Sequence, residues 1–542
     1  MSEEIEIIDR VDNPPNPSRL IESLRDSGYS FNTAIADIVD NSIVAQAEKI
    51  EVTVTLDFEG KVSVHIIDNG HGMGKEELIN AMKYGSEKQA NPQSLSKFGL
   101  GLKTASTGFC KNLSVTSRNS ENSDLNKACW DLDYIATKSN GHWTTLFLKV
   151  TDEDKKLLDK LASEASGTLV SWSKVDRLTK VYQKPGGSDH KKAVDKLINS
   201  LKKHLSLVFQ RFLDPTDQRG RNISLTVNGG LIESYDPFCL KEKHTTLVAK
   251  GDQEIQVRPG IKTKIQIRAY VLPSAEEFSS NEASKLADIK TPKQGIYIYR
   301  ENRMIFGPSW LKLFQVEPHL NLLRVEFSFD YLLDDAFKID FMKSKVEINE
   351  AIFDFLQKFL GPPRRVADDK YRKRVSGAVQ RNSGSAHDSS NKSIDDKSAQ
   401  VNQADITNAD RDKNQAQIKN KQGEFTIEIQ VTDPATEGEL RIQPIETIQD
   451  GFLWQPCIID AKQGVQVNTG HAYYKKVYVP NYNSGVAVQG IDSLLWALSI
   501  AELSAYQPQV SSLFEELRLD VSRTLRKLVE DLPDPEIKED ED

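Results

Sequence analysis

Apolar positions recur with helical spacing along residues 31–47, FNTAIADIVDNSIVAQA, where Ile35, Ile38, Val39 and Ile43 cover faces that need burial. Asp37 and Asn41 stand four residues apart in the same stretch, so on a helix both project from one face, one turn above the other. A carboxylate and a carboxamide aimed together from an apolar helix need polar partners, because burying them unpaired is costly. Taken alone, the pattern also fits a solvated face carrying Asp37, Asp40 and Asn41. Upstream, residues 19–26 read as a short helix ended by Gly28, with Ser30 and Asn32 as candidate caps for the long one. Downstream, residues 49–56 and 61–67 alternate with period two around Phe58-Glu59-Gly60, which predicts a β-hairpin.

The second strand of that hairpin runs into Asp68-Asn69-Gly70-His71-Gly72-Met73-Gly74. A carboxylate fixed at a strand end can accept a hydrogen bond from an exocyclic amine, and glycines beside it let a flat base approach the backbone. A Gly-rich turn closed by an Asx bond is the plainer reading of the same residues. A polar stretch, residues 75–97, is expected to form a mobile lid. It leads into Phe98-Gly99-Leu100-Gly101-Leu102-Lys103-Thr104, where glycines precede a helix start, an arrangement that aims backbone N–H groups at an anion with Lys103 adding charge. The stretch contains no GxxxxGK[ST], so it is not a P-loop. Strands are predicted near residues 113–117, 127–134 and 142–150, and Gly167-Thr168 opens another; the Thr168 hydroxyl is available to add to recognition of a base held by Asp68, although a Gly-Thr pair by itself says almost nothing.

Residues 191–212 carry Leu197, Leu201, Leu205 and Phe209 at helical spacing, and strands recur at 223–227, 254–257, 264–271, 295–300 and 323–329. From 362 to 423 the composition turns to Ser, Asn, Gln, Asp and Lys, the signature of a disordered linker, opened by a basic cluster from Arg364 to Arg374. Short strands and two helices follow, 491–506 and 511–532. The second bears Leu513, Leu517, Val521, Leu525, Leu528 and Leu532, a stripe suited to a partner helix or to the core. His471 reads as structural. The expected division is therefore 1–180, 181–361, a linker 362–423, and a small α+β domain 424–542.

The chain has 542 residues and a formal charge of −9, which argues against a uniformly basic nucleic-acid coat. Its four cysteines lie far apart without CxxC or ligand spacing, so neither a disulfide framework nor a zinc site is indicated. An acidic N-terminus and the lack of a long uninterrupted apolar run point to a cytoplasmic protein with no membrane partner.

In order and context these pieces resemble the GHKL ATPase superfamily of gyrase, the heat-shock chaperones, histidine kinases and MutL, and look closest to its MutL-derived, MORC-like bacterial branch. The resemblance implies an α+β architecture: a Bergerat α/β sandwich, then a gyrase- or MutL-type transducer domain. It implies ATP and Mg²⁺ as ligands, Asp37 as general base, and Asn41 as the metal ligand. Asp68 would anchor adenine with Thr168 seconding it, and Gly70, Gly72 and Met73 would wall the base pocket. Gly99, Leu100, Gly101, Leu102 and Lys103 would hold the phosphates. Residues 337–344, FKIDFMKS, best match the transducer loop that reaches the γ-phosphate, making Lys343 the candidate and Lys345 the reserve. Two departures stand out: the family's base is usually Glu, and the phosphate cradle lacks a third glycine. The resemblance further implies a slow ATPase that closes as an ATP-dependent homodimer. A DNA-directed role in restriction or anti-phage defence, beside a nuclease or methyltransferase partner, is also implied. An ATP-gated scaffold that does not hydrolyse is the alternative, motivated by Asp37. A sensor histidine kinase is disfavoured, since no phospho-accepting helix precedes the module.

Overall fold

The computed structural model describes residues 17–532 apart from 27, 84–100, 121–123, 139–141, 259–260, 335–336, 340–345, 349, 402–403, 435–440 and 483. The chain divides into two units, residues 1–315 with 323–363, and residues 316–322 with 364–542.

The first unit begins with α1 (Pro17–Arg25) and α2 (Phe31–Val44), the latter capped by the Ser30 hydroxyl, which accepts from the Thr33 N–H. The hairpin forms as β1 (Lys49–Leu56) and β2 (Val62–Asp68). Lys75–Met82, expected as part of a lid, is a helix, α3, because Leu78 and Met82 bury on the core; the rest of that lid lies outside the described residues. After α4 (Gly101–Thr107) come β3 (Cys110–Arg118), β4 (Asn126–Asp131), α5 (Leu132–Lys138), β5 (Leu146–Leu148), α6 (Asp152–Ala162) and β6 (Gly167–Val175). Thr151 caps α6 in a reciprocal box with Asp154, a start signal in Thr-Asp-Glu-Asp that periodicity alone passes over.

A boundary at residue 180 does not survive. Helix α7 (Ser188–Val208) buries Val194, Ile198, Leu201 and Leu205 in the same core as Ile35, Ile38 and Val39 of α2. Strands β7 (Ser224–Val227) and β8 (Gly230–Leu231) then complete the sheet, whose order is β5-β4-β3-β6-β2-β1-β7-β8. β7 lies parallel to β1, Lys49 opposite Ser224, a pairing that no local pattern announces. The first layer thus closes only after about residue 230. Arg221, just before β7, donates to the carbonyls of Ile43, Gln46 and Ala47, satisfying the C-terminal end of α2.

A second, five-stranded sheet follows: β9 (Thr246–Arg258), β10 (Ile261–Val271), β11 (Gly295–Arg300), β12 (Arg303–Ser309) and β13 (Leu323–Phe329), in the order β12-β11-β13-β10-β9. β11 and β12 are joined through Glu301 and Asn302, both at positive φ, as a two-residue hairpin requires.

In the second unit the expected disordered linker is folded. Residues 364–386 continue a helix that begins at Glu350, a second helix covers Asp388–Val401, and Asp405–Asp410, Gln415–Asn420 and Gly423–Glu428 form a three-stranded sheet. Polar composition misleads here because several of its sparse apolar residues bury: Tyr371 and Ile394 with Trp454, Tyr474 and Trp496, and Ala416 and Ile418 with Ile458. The polar ones find partners too. His387 bridges Asp492 (2.7 Å) and the Tyr474 hydroxyl (2.9 Å), and the Asn391 carboxamide oxygen accepts from the N–H groups of Arg441 and Ile442, both at 2.7 Å. The 424 boundary therefore falls inside one core. His471 is buried against the Ser522 carbonyl, and burial pushes its imidazole down to about 4, so it stays neutral. Helix Gly485–Ala505 is apolar enough in length and composition to cross a bilayer, yet packs Val488, Leu495 and Trp496 into the core. On the last helix Val521 and Leu525 pack inward, whereas Leu513, Leu517 and Leu528 are exposed.

Candidate nucleotide-binding site

The site is organised by α2. Ser42, near its C-terminal end, donates its hydroxyl to Asp68 Oδ2 at 2.8 Å, and the Gly70 N–H donates to Oδ1 at 2.9 Å. Asp68 is the last residue of β2 and sits directly across from Thr168 on β6, so the carboxylate and the hydroxyl share one end of the sheet. Burial pushes the Asp68 carboxyl upward, while the bonds from Gly70 and Ser42 oppose this. A carboxylate offers about four acceptor positions, so acceptor capacity remains beyond these bonds. Ser117 ties this end together, accepting from the Met73 N–H and lying 2.9 Å from the Thr168 hydroxyl. Ser42 and Ser117 were not foreseen, because a lone serine carries no periodic signal.

The glycines of the 68–74 turn are there for space. A Cβ on Gly70 would lie 2.6 Å from the Ala45 carbonyl oxygen, and one on Gly72, at φ +66°, would lie 1.9 Å from that of Arg118. Gly72→Ala is expected to displace the turn from β3, with left-handed backbone alone costing about 1–3 kcal/mol. Denaturant unfolding checks the stability, and nucleotide titration should show weakened binding.

At the other end of the site, Gly101 opens α4 with its Cα facing α2: a Cβ there would lie 3.7 Å from Asp37 Cβ and 3.8 Å from Asp37 Oδ2. Helix α4 is held to the sheet by the Trp172 indole, which donates to Ser106 Oγ at 2.8 Å. Lys103 does not point at this space. Its ammonium is buried and donates to the carbonyls of Ala81 (3.0 Å) and Lys83 (2.5 Å) at the end of α3, and burial pushes it down to about 8. Gly99, Leu100 and Lys343 lie outside the described residues. Leu102 packs against the core of the first layer.

Asp37 and Asn41 share the face of α2 as their spacing requires, with Asn41 half-buried and Asp37 buried. Both Asp37 oxygens are engaged. The Tyr29 hydroxyl donates to Oδ2 at 2.9 Å, and Arg303 Nη2 lies 3.2 Å from Oδ1. Burial first, and Asp37 second, raise the Tyr29 phenol well above its ordinary value, so it remains a donor. Arg303 also donates through Nε to Asp40 Oδ1 at 2.7 Å. Asp40, expected on a solvated face, is completely buried by this pairing. Neither Tyr29 nor Arg303 was identified from sequence. For Arg303 the signal existed, since Tyr-Arg-Glu-Asn-Arg-Met-Ile-Phe reads as strand, two turn-forming residues, strand. Among the described residues no cluster of three or more His, Cys, Asp or Glu side chains could hold a metal ion.

The geometry places the Asp68 carboxylate and Gly101 against opposite ends of α2. Asp37 and Ser42 are separated by about 7.5 Å along the axis at 1.5 Å per residue. Residues 29–168 match the model of the histidine kinase-, DNA gyrase B- and HSP90-like ATPases. A mouse relative, ATPase MORC2B, is 31% identical over 77 residues, a match spanning 14% of this chain and 8% of the mouse protein. The crystal structure of the N-terminal domain of a DNA repair protein superposes with a TM-score of 0.38 at 16% identity, over 66% of this chain and 98% of its own. Residues 29–168 are thus similar to the histidine kinase-, DNA gyrase B- and HSP90-like ATPases, and a 77-residue stretch of the chain is similar to a MORC ATPase.

Proposed function

We propose that this chain is a Mg²⁺-dependent ATPase that converts ATP and water to ADP and phosphate and works as a conformational clamp. The supporting observation is that α2 touches both ends of the site, Ser42 on the Asp68 anchor and Asp37 against Gly101. In this reading Asp68 accepts from the adenine amine beside Thr168, with Gly70, Gly72 and Met73 walling the ring. The 99–103 segment cradles the phosphates, Lys103 contributing only if it leaves the α3 carbonyls. Asn41 would hold Mg²⁺, which when bound supplies charge neutralisation on the phosphates. Asp37 orients a water and takes its proton, and Lys343 arrives from the 337–344 loop to meet the charge that develops on the transferring group.

The experiment is phosphate release from ATP by the purified chain, with Mg²⁺ and with EDTA, and with and without DNA over a salt series. Stimulation by DNA that fades steeply with salt supports the DNA-directed role that the MORC-like resemblance implies. Lys343→Met is expected to lower turnover about 100-fold with ATP affinity retained, as for loss of one charge-stabilising donor. Single-turnover assays measure it, and an unchanged rate removes Lys343.

One observation favours a second reading, an ATP-gated scaffold. The carboxylate in the base position is an Asp whose two oxygens are both already bonded. Tight ATP binding with no phosphate released over hours would select it. Homodimerisation on ATP is proposed for either reading, with the exposed Leu513, Leu517 and Leu528 as a candidate contact.

A further inference from the structure

Asp37 has its most highly charged neighbour from elsewhere in the chain. Arg303 is the first residue of β12, in the second sheet, and its side chain is only 5% exposed. Its guanidinium spans two carboxylates of α2 three residues apart, Nε on Asp40 and Nη2 on Asp37. The turn that delivers it is itself anchored. Asn302 donates to the Arg219 carbonyl at 2.7 Å and its oxygen lies 3.2 Å from Arg211 Nη1, while Arg211 Nη2 donates to Glu326 of β13 at 2.6 Å. The groups facing Asp37 are therefore Tyr29 from the segment before α2, Asp40 on α2, Arg303 from β12 and His204 from α7. Burial, and then Arg303, push His204 down to about 4, so it is neutral and Arg303 is the cation of the cluster.

We propose that Arg303 is a positioning residue for Asp37, so that the orientation of the water-activating carboxylate is set by the second sheet rather than by its own helix alone. An aspartate has one methylene fewer than a glutamate with which to find its water, and a planar guanidinium that fixes both Asp40 and Asp37 defines where that shorter arm ends. A displacement of about 1 Å at a reacting group costs about 100-fold in rate. Movement of hairpin β11–β12 relative to α2 would then alter turnover without touching the nucleotide. This inference rests on Asp37 acting as proposed above.

Arg303→Ala is expected to lower kcat about 100-fold while KM for ATP changes less than about threefold, because the guanidinium is bonded to Asp37 and Asp40 and not to the Asp68 end of the site. A cavity of about 240 Å³, lined by Thr33, His204, Val208, Arg303, Gly307 and Pro308, adjoins the side chain. Millimolar guanidinium should enter the space left by Arg303→Ala and restore kcat about tenfold, which a purely structural defect would not allow. Removing the cation leaves Asp37 and Asp40 facing each other, so the same measurements are made on Arg303→Ala/Asp40→Asn and on Arg303→Lys, which keeps the charge but not the fork. Wild-type kcat in either of these, with an unfolding transition like the parent's, overturns the inference. Unchanged turnover in Asp37→Asn instead overturns the assignment of Asp37. A dead Asp37→Asn beside a fully active Arg303→Ala/Asp40→Asn rejects the positioning role alone.

Discussion

Asp68→Asn is expected to abolish measurable ATP binding, weakening Kd by at least about 100-fold. The buried carboxylate accepts on both oxygens, from Ser42 on one and the Gly70 N–H on the other, and still has lone pairs to offer a ligand amine. An amide replaces one acceptor oxygen with an NH₂ group. If its oxygen stays toward Gly70, the NH₂ faces Ser42 and the ligand amine loses an acceptor on that side; if it flips, the Gly70 N–H is left facing a donor. A site built to hydrogen-bond a polar group penalises such a mismatch far more than loss of a methylene, and about 1.4 kcal/mol is a factor of ten. Isothermal titration with a non-hydrolysable ATP analogue measures it. Affinity equal to the parent's would place the nucleotide somewhere other than the β2 strand end. The substitution is isosteric, so the unfolding midpoint should stay near the parent value and separate lost binding from lost fold.

Asp37→Asn is expected to do the converse, keeping ATP within a few-fold of parent affinity while reducing turnover about 1,000-fold, the middle of the range for removing a general base. The carboxamide keeps the shape and retains an oxygen for the Tyr29 hydroxyl, but it cannot take a proton at neutral pH. It also leaves Arg303 with Asp40 as its remaining carboxylate on α2, so the α2–β12 contact weakens without disappearing. Single-turnover phosphate release set beside equilibrium binding checks both halves. Hydrolysis at the parent rate would exclude Asp37 as base, and loss of binding together with hydrolysis would mean that it serves the cradle instead.

The parts of the site legible in the sequence are those whose geometry is local. The four-residue spacing of Asp37 and Asn41 fixes a shared face on any helix, and a period-two run ending in Asp68 fixes a carboxylate at a strand end. Thr168 stands opposite Asp68 in the register, a pairing that a bare Gly-Thr dipeptide does not announce. Legibility fails where partners are distant or polar. Arg303 meets Asp37 across 266 positions, and although a two-residue turn announces its strand, no spacing pairs that strand with α2. Asp40 looked solvated because its only signal was its charge, whereas a buried carboxylate is defined by a partner that spacing cannot reveal. The stretch at 362–423 failed for a related reason: a low apolar fraction was read as disorder, although Ile394, Ala416 and Ile418 all lie on buried faces and His387 and Asn391 are satisfied by hydrogen bonds. Lys103 lies on the helix that the glycine pattern announces and bonds the carbonyls of Ala81 and Lys83, a choice of partners that composition does not reveal.

The parallel seam between β1 and β7 has a practical corollary for anyone who wishes to isolate the nucleotide-binding half. A fragment cut at residue 180 would strip Ser224–Val227 from Lys49–Val52 and expose a row of unpaired amides and carbonyls along a largely apolar margin. Such margins recruit other chains. The same cut would remove Arg221 and leave the carbonyls at the foot of the helix that carries Asp37 and Asn41 to the solvent. The smallest autonomous version of this domain should therefore run past Ile232, and insolubility of a shorter one would say nothing against the chemistry.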